Sequence, residues 1–195
     1  FNEKLLDTWT KESAYALGWA ITDGNVMDVG SPKLSFHLKD IEAIETLRRL
    51  FRHPKPIIQY NGYPYLGLQS RHLVERLKAL GVTPAKSFTT KMPPVPAKFV
   101  SHFIRGVIDG DGTIDSPGGR LRVTIHGASC DFLTGLRFLI GLPVSFFAIG
   151  TKTRKHPLWR LVYSKKAAIQ LCGWIYQDSE GLRLSRKYER YLAAL

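Results

Sequence analysis

Phe103-Ile104-Arg105-Gly106-Val107-Ile108-Asp109-Gly110-Asp111-Gly112-Thr113-Ile114 is the stretch whose reading decides the fold. It predicts an apolar helix with glycine in its packing seam, stopped by Gly-Asp-Gly, with one carboxylate delivered at the helix end. A weaker copy, Ala16-Leu17-Gly18-Trp19-Ala20-Ile21-Thr22-Asp23-Gly24, lies 88 residues earlier. Gly18 and Thr22, and Gly106 and Gly110, are small residues spaced i, i+4, a face on which two helix backbones approach closely. Packed side by side, the two helices would bring Asp23 and Asp111 out together. A helix C-terminus carries partial negative charge, so two carboxylates there call for a cation. Oxygen ligands of this kind suit a hard divalent metal, completed by carbonyls, water and phosphate, the combination that drives phosphodiester hydrolysis. A lone Asp-Gly most often just ends a helix; paired copies at matching places in a repeat carry the argument. An EF-hand reading fails, because Thr113 and Ile114 stand where that loop needs an acid or amide and a glycine.

The rest of the chain repeats around these two segments. In the first half a helix capped by Ser13 runs to Thr22. A hairpin pairs 25–29 with 33–39, Asp40 caps a helix to Phe51, and strands 56–60 and 63–69 turn at Asn61-Gly62. Ser70 then opens a helix ending at Gly81. Lys91 to Pro96, with three prolines, reads as a linker. In the second half a helix over 98–109 leads to a hairpin at Ser116-Pro117-Gly118-Gly119, and Ser129 caps a helix to Ile140. Strands 144–149 and 158–163 follow, then helices from Ser164 to Tyr176 and from Leu182 to Leu195. Each half is helix, two strands, helix, two strands, helix, and duplication at this period outweighs any single element. The expected class is α+β, with repeats at 1–90 and 98–195 joined by 91–97.

Lys+Arg 28 against Asp+Glu 16 gives a net charge of +12, which favours a polyanionic partner, nucleic acid before membrane. Apolar content of 44% argues against disorder. Cys130 and Cys172 stand alone, without metal-ligand spacing, and fit a reduced, intracellular protein. No apolar run approaches the ~18 residues of a membrane span, and Phe1-Asn2-Glu3-Lys4 does not open a signal peptide.

The two motifs resemble those of the single-chain LAGLIDADG homing endonucleases. Ile104 to Gly112 matches well; Ala16 to Gly24 diverges at Trp19, Ile21 and Thr22. The strand order, Val82-Thr83-Pro84-Ala85-Lys86-Ser87 and Leu184-Ser185-Arg186-Lys187 extend the likeness over nearly the whole chain. The resemblance implies two pseudo-twofold-related αββαββα repeats, with antiparallel sheets forming a saddle over double-stranded DNA and the motif helices at the domain interface. It implies a monomer that binds two or more Mg²⁺ ions, Mn²⁺ substituting, through Asp23 and Asp111 and the carbonyls of Thr22 and Gly110. Lys86 and Lys187 take the places of basic residues that polarise water or steady phosphate charge. Asp40 and Ser129 match a position that orders the attacking water, and both also make good helix caps. Asp109 has no acidic counterpart, because the first half has Ile21, and is left out of the metal set.

The sheet faces fit that partner. Lys33, Ser35, His37 and Lys39 alternate with apolar residues, as do Arg120, Arg122, Thr124 and His126. A merely solvated face would mix in acids, and neither of these faces is expected to have one. Their side chains suit base edges and phosphates. Gln59, Asn61, Tyr65 and Gln69, with Lys152, Arg154 and Arg160, are expected as further contacts from the second hairpins. Two such sheets span roughly 12–16 base pairs, and unequal halves imply an asymmetric site. Trp19 and Trp174 are expected in the core, and His102 and His53 have no evident partners. A non-cleaving DNA- or RNA-binding relative, a transcription regulator or intron maturase, is the competing expectation. A purely structural module fits the acid-free sheet faces less well.

Overall fold

The computed structural model describes residues 1–149 and 156–195. Its first half runs α1 (Lys11–Thr22), β1 (Asn25–Met27), β2 (Lys33–His37), α2 (Ile41–Leu50), β3 (Ile58–Tyr60), β4 (Tyr63–Gln69) and α3 (Arg71–Ala79). Its second half repeats the order with α4 (Val100–Asp111), β5 (Gly112–Asp115), β6 (Arg122–Gly127), α5 (Cys130–Ile140), β7 (Ser145–Ile149), β8 (Leu158–Ser164) and α6 (Lys166–Ile175). An eighth element, α7 (Ser185–Leu192), has no counterpart in the first half. The architecture is α+β.

Each half contributes one four-stranded antiparallel sheet, in the orders β1-β2-β4-β3 and β5-β6-β8-β7. The registers match as well. Asn25 pairs with Ser35 and Thr113 with Thr124, and Asn25 and Thr113 each lie two residues after a motif aspartate. Lys33, Ser35 and His37 therefore correspond to Arg122, Thr124 and His126. Period-two alternation drives Leu34, Phe36, Val123 and Ile125 under the helices, where all four are fully buried. In the first half they meet Ile44, Leu47, Leu73 and Leu77; in the second, Leu133, Leu136, Ala168 and Leu171 complete the layer. The opposite face of each sheet is left to solvent or a partner.

Local chemistry sets most of the helix starts as expected. Asp40 accepts from the amides of Glu42 and Ala43, and Ser70 and Ser129 accept from those of Leu73 and Phe132. The exception is α1, which begins before Ser13. Thr10 is its cap, and Ser13 at the third position reaches back to the Thr10 amide at 2.8 Å, closing a reciprocal capping box. Ser13 thus belongs to the cap without being the cap residue. Asn61 (φ 48°) and Gly62 (φ 80°) turn the first half's second hairpin in the left-handed conformation that such a two-residue loop requires. Helix α4 continues two residues past Asp109, so that Asp111 is its last residue and Gly112 its cap.

The halves meet along α1 and α4. A methyl group at Gly18 would stand 2.5 Å from the Phe103 carbonyl oxygen and 2.7 Å from the Val107 nitrogen. One at Gly106 would collide with the Tyr15 carbonyl. Backbone touches backbone on this seam, so no side chain can replace either glycine.

Candidate active site and nucleic-acid interface

Where the seam ends, the two acids emerge side by side. A methyl at Gly110 would lie 2.7 Å from Asp23 Oδ2 and would overlap the Thr22 hydroxyl. Thr22 back-bonds within α1, to the carbonyls of Gly18 and Trp19 at 3.2 Å. Burial holds the Asp23 carboxyl above its usual pKa. Asp111 is pushed up to about 6 by burial and by the neighbouring Asp23 charge, with Lys86 and Lys187 opposing. Two partly desolvated carboxylates that repel each other are stabilised by a cation between them. No group of three or more His, Cys, Asp or Glu side chains suited to a metal occurs among the described residues. A cation here would take these two carboxylates, backbone carbonyls and outside ligands, a donor set that suits Mg²⁺. The residues present fit that ion.

A lysine secures each motif helix at its end. Lys86, in a turn on the first half, donates to the carbonyl of Gly24, and burial lowers its pKa against the pull of Asp111 and Asp23. Lys187, on α7 and 2% exposed, donates to Ile108 O at 2.6 Å, Asp109 O at 2.8 Å and Gly112 O at 2.7 Å. All three ammonium donors are thereby used on the C-terminus of α4. Burial brings its pKa down to about 8, with Asp109, Asp23 and Asp111 pulling upward. Where the sequence suggested a group facing water or phosphate, Lys187 is a helix cap that brings its charge close to the acids.

The other expected residues divide. Ser129 lines a cleft with Thr22, Lys86, Asp111 and His126, while its hydroxyl donates to Thr90 O at 2.7 Å and caps α5. Asp40 caps α2 through one oxygen and accepts from Arg186 Nε through the other, at 2.8 Å. Together with Glu42, which accepts from the Ser185 amide and hydroxyl, it docks α7 onto the first half.

Asp109 is 1% exposed and faces inward. Its Oδ2 accepts from Tyr15 Oη of the opposite half at 2.8 Å and from the Leu184 amide at 3.1 Å. Burial raises its pKa to about 6. Arg105 is completely buried beside it. It donates to Leu182 O at 2.6 Å, to Ile175 O and to His102 Nδ1 at 2.8 Å. His102 therefore has a partner that sequence reading missed, because spacing i, i+3 on an apolar helix gives no sign of which face is polar. Trp19 is buried as expected and Trp174 packs partly buried against the core.

On the bare face of the first sheet Asp23, Lys33, Ser35, His37 and Tyr65 line one hollow with Tyr60. His37 donates to Tyr60 O at 2.6 Å and stands edge-on to the rings of Tyr60, Tyr63 and Tyr65. Lys39 lies beyond the strand, 5.4 Å from the Tyr63 ring centre. Gln69 pairs with Lys33 in register, and Gln59 and Asn61 lie on the exposed β3 and its turn. On the second sheet Arg122, Thr124, His126 and Arg160 share one face with Phe147. Burial and Arg160 hold the His126 pKa low. Arg120 is exposed just ahead of β6. Lys152 and Arg154 lie outside the described residues. One expectation is overturned: the second face does contain an acid. Asp115 on β5 sits opposite Arg122 in register and binds it at 2.9 and 2.8 Å. Its signal was the alternation Thr113, Ile114, Asp115 directly after the motif.

Solved structures with a similar fold include LAGLIDADG homing endonucleases and a LAGLIDADG domain of another protein. The homing endonuclease I-WcaI bound to its DNA recognition sequence superposes with a TM-score of 0.60 at 11% identity, over 96% of this chain and 90% of that one. I-DmoI in complex with DNA and Mn gives 0.57 at 17% identity, over 85% and 96%. The N-terminal LAGLIDADG domain of WhiA gives 0.55 at 16% identity, over 100% and 93%. The chain has the two-repeat LAGLIDADG fold. No family profile matches its sequence. A curated relative, a DNA polymerase of Thermococcus litoralis, is 28% identical over 107 residues, which are 53% of this chain and 6% of that protein. No helix among the described residues is long and apolar enough to cross a membrane.

Proposed function

We propose that this protein is a homing endonuclease of the LAGLIDADG family, a monomer that cuts both strands of a long, asymmetric DNA duplex with Mg²⁺ and leaves 3′ overhangs. The observation that carries the reading is the pair Asp23 and Asp111, partly desolvated and side by side at the ends of two packed helices, between two polar sheet faces. Its repeats are assigned to 1–90 and 98–195 with a linker at 91–97, and it acts inside the cell. Asp23 and Asp111, with the carbonyls of Thr22 and Gly110, would hold the divalent ions. When bound, these supply Lewis acidity and a nucleophilic water. Lys86 and Lys187 keep the ends of α1 and α4, and so the two carboxylates, in place, and offset negative charge at the scissile phosphates. Ser129 borders the same cleft and Asp40 holds α7 against the first half, so both shape the surroundings of attack. The sheet residues from Lys33 to Arg160 track and read the duplex, Lys152 and Arg154 included.

The likeness to the WhiA domain, together with Trp19, Ile21 and Thr22 in the first motif, favours a second reading: a DNA- or RNA-binding relative that does not cut. One assay separates them. The protein is incubated with a duplex library in Ca²⁺ and in Mg²⁺, and bound and cut molecules are sequenced. Retention in Ca²⁺ with double-strand cutting in Mg²⁺ supports the nuclease; duplexes bound but intact in Mg²⁺ contradict it.

A further inference from the structure

The pair Arg122–Asp115 has no counterpart in the first half, where the matching positions are Lys33 and Met27. Asp115 takes hydrogen bonds from Arg122 Nε and from one terminal nitrogen, so it occupies the side edge of the guanidinium. Arginine has five N–H donors in a rigid fork. The remaining end edge, formed by the two terminal nitrogens, is the edge that matches the O6 and N7 acceptors of guanine. Both side chains are about two-fifths exposed on the bare face, 42% for Arg122 and 36% for Asp115, so that edge is open to a ligand. A carboxylate beside the arginine also repels phosphate, which argues for a base edge over the DNA backbone as the ligand.

We infer that Arg122, held by Asp115, reads one guanine in the half-site under the second sheet. The inference rests on the DNA-binding reading above and adds a base and a place. Along β6, Arg122 lies four residues from His126, which borders the Asp111 cleft. At ~3.3 Å per residue that is roughly 13 Å, or about four base pairs outward from the one beside His126. Lys33, a point charge next to an apolar Met27, sets no such preference on the other side.

The test is selection of bound duplexes from a randomised library in Ca²⁺, followed by affinity measurement on single-base variants of the selected site. The wild-type protein should prefer guanine at one position by roughly 5- to 150-fold. Arg122→Ala should flatten that position and leave preferences elsewhere in place. Asp115→Asn should weaken the same preference while total affinity holds or rises, an outcome that a merely structural role for Asp115 would not produce. Installing Met27→Asp with Lys33→Arg should create a guanine preference at the symmetry-related position. Even loss of affinity across all sequences with Arg122→Ala would overturn the inference and make Arg122 a phosphate contact. Failure of the wild-type protein to retain any duplex would overturn the DNA-binding reading itself.

Discussion

The two halves solve one problem with different materials. Each must fix the end of a motif helix so that its last acid stays in place. In the first half, Lys86 does this from a tight turn, with a single carbonyl as its partner. In the second, a whole helix is brought in, and Lys187 grips three carbonyls from it. The packing behind the motifs follows the same division. Leu17 and Ile21 are apolar where Arg105 and Asp109 are buried and polar. Arg105 and Asp109 bond the carbonyl of Leu182 and the amide of Leu184, the segment that leads into α7. The polar core of the second half is thus the anchorage of its extra helix, and the first half needs none. Symmetry is kept along the glycine seam and relaxed where each half meets its own surroundings and in the Tyr15–Asp109 bond between the halves.

The largest effects should come from the shared seam, where the halves are equivalent. Gly18→Ala and Gly106→Ala each press a methyl into the other helix's backbone, and each should cost about 3 kcal/mol or more. Urea unfolding would read this as similar losses from either side. A loss confined to one of the two would break the equivalence.

The capping lysines should differ. Lys187→Met leaves three carbonyls at the end of α4 without their donor and should cost roughly 2–3 kcal/mol, whereas Lys86→Met should cost about 1 kcal/mol. Thermal or denaturant melts of the two variants check the order. Equal costs would mean that α7 docks by other contacts.

Smaller again is the response to pH. Asp109 and Asp111 hold protons in the fold up to about pH 6 that the unfolded chain releases near the ordinary value of 3.8. Without divalent metal, stability should therefore fall as pH rises from about 4 to about 6. Mg²⁺ should raise the melting temperature above pH 6, where Asp111 is ionised, and lose that effect below it, where protons compete. A metal-free profile that rises over this window would contradict the environment assigned to the two acids.

Much of this was legible in the sequence because the informative signals are local and duplicated. The paired small residues at i, i+4 predicted the seam, and strand alternation predicted which faces are bare. Asn61-Gly62, Asp40, Ser70 and Ser129 each marked an element boundary by their own chemistry. What escaped was long-range. That Lys187 spends its charge on carbonyls about 75 residues away follows only from the docking of α7. The Asp115–Arg122 pair depends on a register set across the Pro117-Gly118-Gly119 turn. Nothing local shows what Arg105 and Asp109 bind; they are buried because the segment leading into α7 covers that side of α4.

The most direct measurement is cleavage of a selected duplex in Mg²⁺ by the wild-type protein and by Asp23→Asn and Asp111→Asn. With one acid of the shared centre removed, either variant should bind the duplex as the wild type does and fold at least as stably, since carboxylate repulsion is relieved. Its cutting should be slower by a factor of ~100 or more. Cutting at the wild-type rate by either variant would contradict a centre built from both halves.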